Sequence, residues 1–279
     1  MKKTLIALTM AASAVSGAAH AWTSSDFNGS FNIDGTITAD MYSDKWEWMV
    51  GEPLSFQNTT KEMTDGNKML TITQSKPAPI LLGHTKEAFA APSVGVGAIP
   101  LISFSDYEGN TVSLKNSNES NKGYFDLPMK DANDQKLGNV KVNVISAGLI
   151  SKSEKNSSGH VRVNGVSSTE RSSIYYGGLV SSVDGKGMEM SSIMSKFGNY
   201  GHTALLSQIT TALPDAGLYG QINGNYPIST NMVDSTGEVI ASSYSLGIDQ
   251  GQTIEATFTN PVTTTTQWSA PLNVAVTYN

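Results

Sequence analysis

Histidine, serine and carboxylate residues are the side chains of this sequence that could support hydrolysis or bind a metal. His84, His160 and His202 are far apart along the chain, and no His-Glu-x-x-His motif occurs. No Gly-x-Ser-x-Gly motif places a serine nucleophile, although a Ser–His–Asp triad assembles in space and composition alone does not exclude one. Residues 131–134 resemble the start of a calcium loop but lack its sixth-position Gly and closing Glu, so they predict a turn. We therefore expect no enzyme activity: no catalytic residue, no metal site and no cofactor.

The composition fits a protein with a packed core and an uncharged polar surface. Hydrophobic residues make up 39% of 279 positions and charged residues only 15%, with a net charge of −6. The excess of acids argues against nucleic acid as a partner. Because the sequence has no cysteine, it excludes a disulfide scaffold, thiol catalysis and cysteine-ligated metals.

The first residues predict export. Lys2 and Lys3 precede an apolar run that ends near Val15, and residues 19–21 form a small-x-small cleavage pattern. The run is too short to span a membrane as a helix. We therefore predict a signal peptide over residues 1–21.

Alternating apolar residues and regularly spaced turn formers predict an all-β protein. Turn formers lie at 65–67, 108–110 and 235–237. Together these signals are typical of a β-sandwich. The predicted strands cover residues 68–74, 99–104, 111–115, 139–145 and 253–258.

The region of about 151–226 differs from the rest and is interpreted as a small inserted α/β subdomain. It begins with a polar stretch and contains Gly-rich segments. Apolar residues at Ala204, Leu205, Ile209 and Leu213 predict a short helix ended by Pro214. A second helix is predicted over residues 191–197.

Both ends of the chain carry long alternating patterns. From 27 to 39 every odd position is apolar or Gly, while the even positions between them are polar. From 270 to 278 every even position is apolar. The N-terminal pattern fits either an ordinary first strand or an arm that adds a strand to another subunit. The C-terminal strand needs a partner on each edge, since an open apolar edge promotes association.

Specific runs give the sequence a resemblance to a known family. They include Asp26-Phe27-Asn28-Gly29-Ser30, Lys45-Trp46-Glu47-Trp48, Pro79-Ile80-Leu81-Leu82-Gly83 and Gln267-Trp268-Ser269-Ala270-Pro271-Leu272. With these runs the chain resembles the FaeG/ClpG-type major fimbrial subunits (adhesins) of the chaperone–usher pathway. The resemblance is strongest at both ends and weakest between 151 and 226.

The resemblance implies an incomplete immunoglobulin-like β-sandwich that is completed by donor-strand exchange. Residues 22–39 would be the donor-strand extension, and residues 40–279 the incomplete pilin domain with its insert. The chain departs from the common pilin pattern at Thr266, where many pilins have Gly. The donor side chains would be Phe27, Phe31, Ile33 and Ile37, and the acceptor edge would comprise Leu272, Val274, Val276 and Tyr278.

The resemblance also implies partners and a location. The partners would be a periplasmic pilus chaperone, an outer-membrane usher, identical subunits in a homopolymeric fibre and a host-cell carbohydrate receptor. The subunit would pass through the periplasm and be assembled on the cell surface as fimbriae. The alternative is a self-contained secreted lectin-like binding module.

Members of this family bind carbohydrate through the inserted subdomain, and the local match there is the run from Arg171 to Leu179. Its candidate glycan-binding residues are Glu170, Arg171, Tyr175 and Tyr176, since aromatic faces pack on sugars and charged groups bind hydroxyls. The alternative is that the two tyrosines belong to the core. Trp46 and Trp48 share one face of a strand, and we expect them to pack in the core.

Overall fold

A computed structural model describes residues 42–92, 98–153, 159–218, 220–234 and 236–278. The predicted signal peptide and the donor residues Phe27, Phe31, Ile33 and Ile37 lie outside these ranges. The strands are β1 (Trp46–Val50), β2 (Met69–Thr73), β3 (Ala78–Thr85), β4 (Phe89–Ala90), β5 (Pro100–Ser105), β6 (Thr111–Val112), β7 (Lys115–Asn116), β8 (Lys122–Lys130), β9 (Lys136–Ser153), β10 (His160–Gly165), β11 (Gly220–Asn223), β12 (Val239–Ile248), β13 (Thr253–Phe258) and β14 (Asn273–Tyr278). The helices are α1 (Gly187–Lys196) and α2 (His202–Ala212), with 3-10 turns at Tyr42–Lys45, Thr60–Glu62 and Pro214–Ala216.

The described strands form two sheets, which give the all-β sandwich that the strand signals predict and the immunoglobulin-like fold that the family resemblance implies. The main path of the larger sheet runs β1-β3-β12-β9-β10-β11, and the smaller sheet runs β14-β5-β6. Neighbouring strands are antiparallel except β10 and β11, which are parallel. The central strand β12 is buried along its whole length, because the larger sheet is covered on both faces in this region.

Two apolar cores occupy the two faces of the larger sheet. One core lies towards the smaller sheet and contains Phe104 and Phe125, whose ring centroids are 4.8 Å apart. The other lies under α1 and α2, where Met190, Leu205 and Ile209 are fully buried. The helices therefore pack on the outer face of the sandwich.

The sequence predicted most of these elements. The predicted strands at 68–74, 99–104 and 253–258 correspond closely to β2, β5 and β13, and residues 139–145 lie inside β9. The prediction for 111–115 was wrong in extent, since only the two-residue strands β6 and β7 form there. The helix ending before Pro214 is confirmed as α2, and the second predicted helix is confirmed as α1.

The segment from 151 to 226 is joined to the main sheet by backbone pairing. Strand β9 continues without a break from Lys136 to Ser153, and β10 pairs with its second half. Strand β11 extends the same sheet beyond β10. The small helical insert therefore widens the larger sheet with β10 and β11, and its helices cover one face of that sheet.

Candidate strand-acceptor edge and carbohydrate site

Strand β14 is an edge strand of the smaller sheet. Within the described residues it pairs with β5 on one side, from Asn273 opposite Ser105 to Tyr278 opposite Pro100, and has no strand on its other side. Its side chains alternate between exposed and half-buried along the whole strand. The half-buried set, which packs against the core shared by the two sheets, is Val274, Val276 and Tyr278, and Leu272, one residue before the strand, packs against the same core. The predicted acceptor residues therefore share one apolar face beside an open edge.

A side-chain hydrogen bond ties the end of this edge to the larger sheet. The indole N–H of Trp48 on β1 donates to the phenol oxygen of Tyr278 at 2.8 Å. Strand β1 is itself an edge strand, which pairs with β3 alone among the described strands. Burial raises the pKa of the Tyr278 phenol above its ordinary value, and the hydrogen bond from Trp48 opposes that shift. The bond thus joins the edges of the two sheets at one end of β14.

An aromatic cluster holds Trp48 in place. Its ring stacks on Trp46 at 6.1 Å between centroids and meets Tyr175 edge-on at 6.4 Å. Tyr244 closes the cluster, 6.0 Å from Trp48. Gly83 lies under Trp48 so closely that a Cβ atom there would be 2.3 Å from the indole. The expectation that both tryptophans pack in the core is confirmed by the 4% exposure of Trp46 and the half-buried position of Trp48.

The opposite edge of β5 is blocked by the turn at Tyr175 and Tyr176. The Tyr175 N–H donates to the carbonyl of Pro100 at 2.8 Å, and the Ile102 N–H donates to the carbonyl of Tyr176 at 2.9 Å. These backbone groups lie on the side of β5 that also pairs with β6, away from β14. The turn therefore supplies the hydrogen bonds that another strand would make.

The four candidate glycan residues separate into an exposed group and one core residue. Glu170 and Arg171 are exposed, and Tyr176 is 38% exposed. Tyr175 has no exposed surface, and its hydroxyl lies 2.6 Å from the Ser242 hydroxyl. A ring without a free face cannot stack on a sugar, so the prediction of Tyr175 as a glycan-binding residue was wrong. Burial raises its pKa well above the ordinary value, as expected for a phenol in the core.

The backbone explains why this run contains Gly-Gly after Tyr-Tyr. Tyr175 has a left-handed backbone with φ 63°, and Gly177 has φ 83°. A Cβ atom on Gly178 would lie 2.5 Å from the Ile102 side chain and 2.8 Å from the Tyr244 hydroxyl. That hydroxyl donates a hydrogen bond to the Gly178 carbonyl at 2.6 Å. The run is therefore a tight turn that packs into the core, and the paired glycines were the sequence signal for it.

The turn predicted at residues 131–134 is confirmed. One carboxylate oxygen of Asp131 accepts hydrogen bonds from the backbone N–H groups of Asn133 and Gln135, and Asp134 has φ 62°. Across the described ranges, no group of three or more histidine and acidic side chains is placed to hold a metal ion. None of the helices in those ranges has the length and apolarity needed to cross a membrane.

The fold is that of an immunoglobulin-like β-sandwich whose smaller sheet ends, within the described residues, at the open and partly apolar strand β14. The chain matches the family described as "Fimbrial, major and minor subunit" over residues 1–279 and belongs to it. It is 48% identical to K88 fimbrial protein AB and 47% identical to K88 fimbrial protein AD of Escherichia coli, over the full length of both chains in each case. It is also 39% identical to the F41 fimbrial protein of Escherichia coli over 117 residues, 40% of each chain. The chain is therefore a FaeG-type fimbrial subunit.

Proposed function

We propose that this subunit polymerises by donor-strand complementation into a surface fibre of identical subunits and that it has no catalytic activity. The single observation that carries the proposal is the open edge of β14 with its alternating apolar side chains. The donor is the extension at residues 22–39 of a second copy, whose apolar residues alternate with the same period. The added strand pairs with β14 and completes the sandwich.

Burial of the donor side chains drives this assembly. Phe27, Phe31, Ile33 and Ile37 each contribute about 1.5–3 kcal/mol when fully buried, before the cost of ordering the extension. Backbone hydrogen bonds along β14 add to this and satisfy N–H and C=O groups that lack a strand partner. An exposed apolar edge also aggregates, so the subunit needs a temporary partner before assembly.

That requirement supports the remaining proposed partners. A periplasmic chaperone supplies a strand to β14 after export, and an outer-membrane usher passes subunits to the growing fibre at the cell surface. Both proposals follow from the family resemblance and from the open edge. The relatives are named as fimbrial proteins, which agrees with a subunit that functions in a fibre.

We also propose that the assembled fibre binds host-cell carbohydrate through exposed residues of the insert. Glu170 and Arg171 supply charged hydrogen-bonding groups, and Tyr176 supplies a partly exposed ring five residues from Arg171 along the turn. The buried Tyr175 supports this surface from beneath and makes no ligand contact.

Deletion of residues 22–39 tests polymerisation. The signal peptide and residues 40–279 remain, so the deleted subunit should still be exported and stabilised by the chaperone, but it should form no fibres. Normal fibres from this variant would contradict donor-strand assembly. The full chain without a chaperone should aggregate, whereas a stable soluble monomer would favour the self-contained lectin-like module.

A glycan array on purified fibres tests adhesion. Arg171→Ala and Tyr176→Ala should each weaken binding, while Tyr226→Ala serves as a matched control because Tyr226, at 79%, is the most exposed large hydrophobic residue among those that the structure describes. If Tyr226→Ala removes binding and Arg171→Ala does not, the carbohydrate site lies elsewhere on the insert.

A further inference from the structure

The apolar face of β14 has a distinct order of side-chain sizes. Together with Leu272, one residue before the strand, its half-buried residues Val274, Val276 and Tyr278 give the order large, small, small, large. The space beside Tyr278 is further restricted because its hydroxyl meets the indole of Trp48. An incoming side chain therefore finds most room beside the two valines and least room beside Tyr278.

The N-terminal extension has the complementary order of sizes. Its odd positions include Gly29, Phe31, Ile33 and Gly35, which read small, large, large, small. Gly29 and Gly35 are six residues apart, and so are Leu272 and Tyr278 (35 − 29 = 278 − 272 = 6). Facing positions pack best when large residues meet small ones.

From this match we infer the register of the donor strand on β14: Phe31 and Ile33 of a second copy pack beside Val274 and Val276, and a glycine faces Tyr278. This inference rests on the proposed donor-strand function and specifies its pairing. The register is the same whether the extension runs parallel or antiparallel to β14. Reversing the extension exchanges Gly29 with Gly35 and Phe31 with Ile33, so a glycine still faces Tyr278 and the large residues still face the valines. In either direction Asn32 lies directly opposite Ala275, since both are the midpoints of their patterns.

The register also gives a role to Ala270. Continued beyond the start of β14 at Asn273, the register would bring one of the outer donor residues, Phe27 or Ile37, beside Ala270, which is half-buried and packs against the same core. A large residue again meets a small one, so the size match continues beyond the central four positions.

Trp48 is the positioning residue in this arrangement. Its ring is fixed between Trp46 and Gly83, and its N–H holds the Tyr278 hydroxyl. A slip of two residues in either direction would place a large donor residue against Tyr278, namely Phe27, Phe31, Ile33 or Ile37 depending on the directions of the strand and of the slip. The Trp48–Tyr278 pair thus discourages slipped registers.

Disulfide cross-linking tests the register cleanly, because the natural sequence has no cysteine. The variants combine Ala275→Cys with one donor cysteine at a time: Ser30→Cys, Asn32→Cys or Asp34→Cys. Ala275 is exposed on β14, and the three donor positions are polar residues of the extension. Directly opposite residues meet disulfide geometry, whereas residues displaced by two lie about 7–8 Å apart on the diagonal and do not.

The readout is a non-reducing gel of assembled fibres. We expect a ladder of covalent multimers with Asn32→Cys and loss of that ladder with Ser30→Cys and Asp34→Cys. A ladder with Ser30→Cys or Asp34→Cys in its place would overturn the register and leave donor-strand assembly intact. Fibres that form without a ladder in any variant would contradict both the register and the donor-strand proposal.

The positioning role has its own test in the same assay. Tyr278→Phe keeps the ring and removes the hydroxyl that Trp48 binds. In this background, cross-linking to Ala275→Cys should occur with Ser30→Cys or Asp34→Cys as well as with Asn32→Cys. A structural role alone would lower the yield of fibres without changing which cysteine cross-links. Unchanged preference for Asn32→Cys in this variant would show that Trp48 does not position the strand.

Discussion

Gly177 lies so close to Ile102 that a Cβ atom on the glycine would be 2.1 Å from the Ile102 carbonyl oxygen. This contact seats the turn at Tyr175 and Tyr176 on the edge of β5. Gly177→Ala should therefore destabilise the subunit by more than the cost of its left-handed backbone alone. The measurement is the thermal unfolding midpoint of assembled fibres.

Gly109→Ala is the matched control for that variant. Gly109 has the same φ of 83°, but no atom beyond its own chain neighbours lies within 4 Å of a Cβ built there. Both variants carry the backbone cost of about 1 kcal/mol or more, and only Gly177→Ala adds the collision. Equal midpoints for the two variants would show that the turn does not seat tightly on β5.

Removal of the Tyr175 ring should destabilise the sandwich strongly. Tyr175→Ala should cost about 3–5 kcal/mol, as for other large buried aromatic residues. Tyr175→Phe keeps the ring and loses only the hydrogen bond to Ser242, which should cost about 0.5–1.5 kcal/mol. Tyr176→Ala, at the next and partly exposed position, should leave the unfolding midpoint nearly unchanged. A larger loss from Tyr176→Ala than from Tyr175→Ala would reverse the assignment of the two side chains.

Alkaline pH should weaken the fold through its buried tyrosines. Burial raises the pKa of Tyr175, Tyr244 and Tyr278 in the folded chain above the ordinary value of about 10. The folded chain then keeps protons that the unfolded chain releases, so stability is complete below about pH 10 and falls as pH rises above it. Above about pH 10, each of these tyrosines lowers the free energy of unfolding by up to about 1.4 kcal/mol per pH unit.

Tyr278→Phe should reduce this pH dependence, because it removes one of the three groups. The comparison is unfolding in denaturant between pH 9 and 11, with Tyr226→Phe as a control at an exposed position. A pH profile identical to that of the natural chain would argue against a raised pKa at Tyr278.

Much of the fold could be predicted from the sequence because strand and turn signals are local. The alternation through Leu70 and Ile72 was enough to locate β2, and Pro214 marked the end of α2. The alternation of Val274, Val276 and Tyr278 also identified the apolar face of β14. These features depend on neighbours along the chain, which a sequence displays directly.

The misassigned residue at the candidate site depended on contacts between distant segments. Tyr175 and Tyr176 are adjacent and identical in type, yet one is buried and the other is partly exposed. The difference follows from the left-handed backbone of Tyr175, which turns its ring towards Trp46 and Tyr244. No period in the sequence predicts a single positive φ at a tyrosine. The hydrogen bond between Trp48 and Tyr278 spans 230 positions and could not be predicted for the same reason.

The turn that seals β5 also limits how many neighbours the smaller sheet can take. With Tyr175 and Tyr176 beside β5 and only the two-residue strand β6 next to them, the long free side that the smaller sheet offers in the part of the chain that the structure describes lies along β14. A subunit with one donor-strand extension and one acceptor edge can join two neighbouring subunits. In the proposed fibre, chains of such units can lengthen but cannot branch, so the turn formed by the buried Tyr175 and the partly exposed Tyr176 would favour a thread over a network.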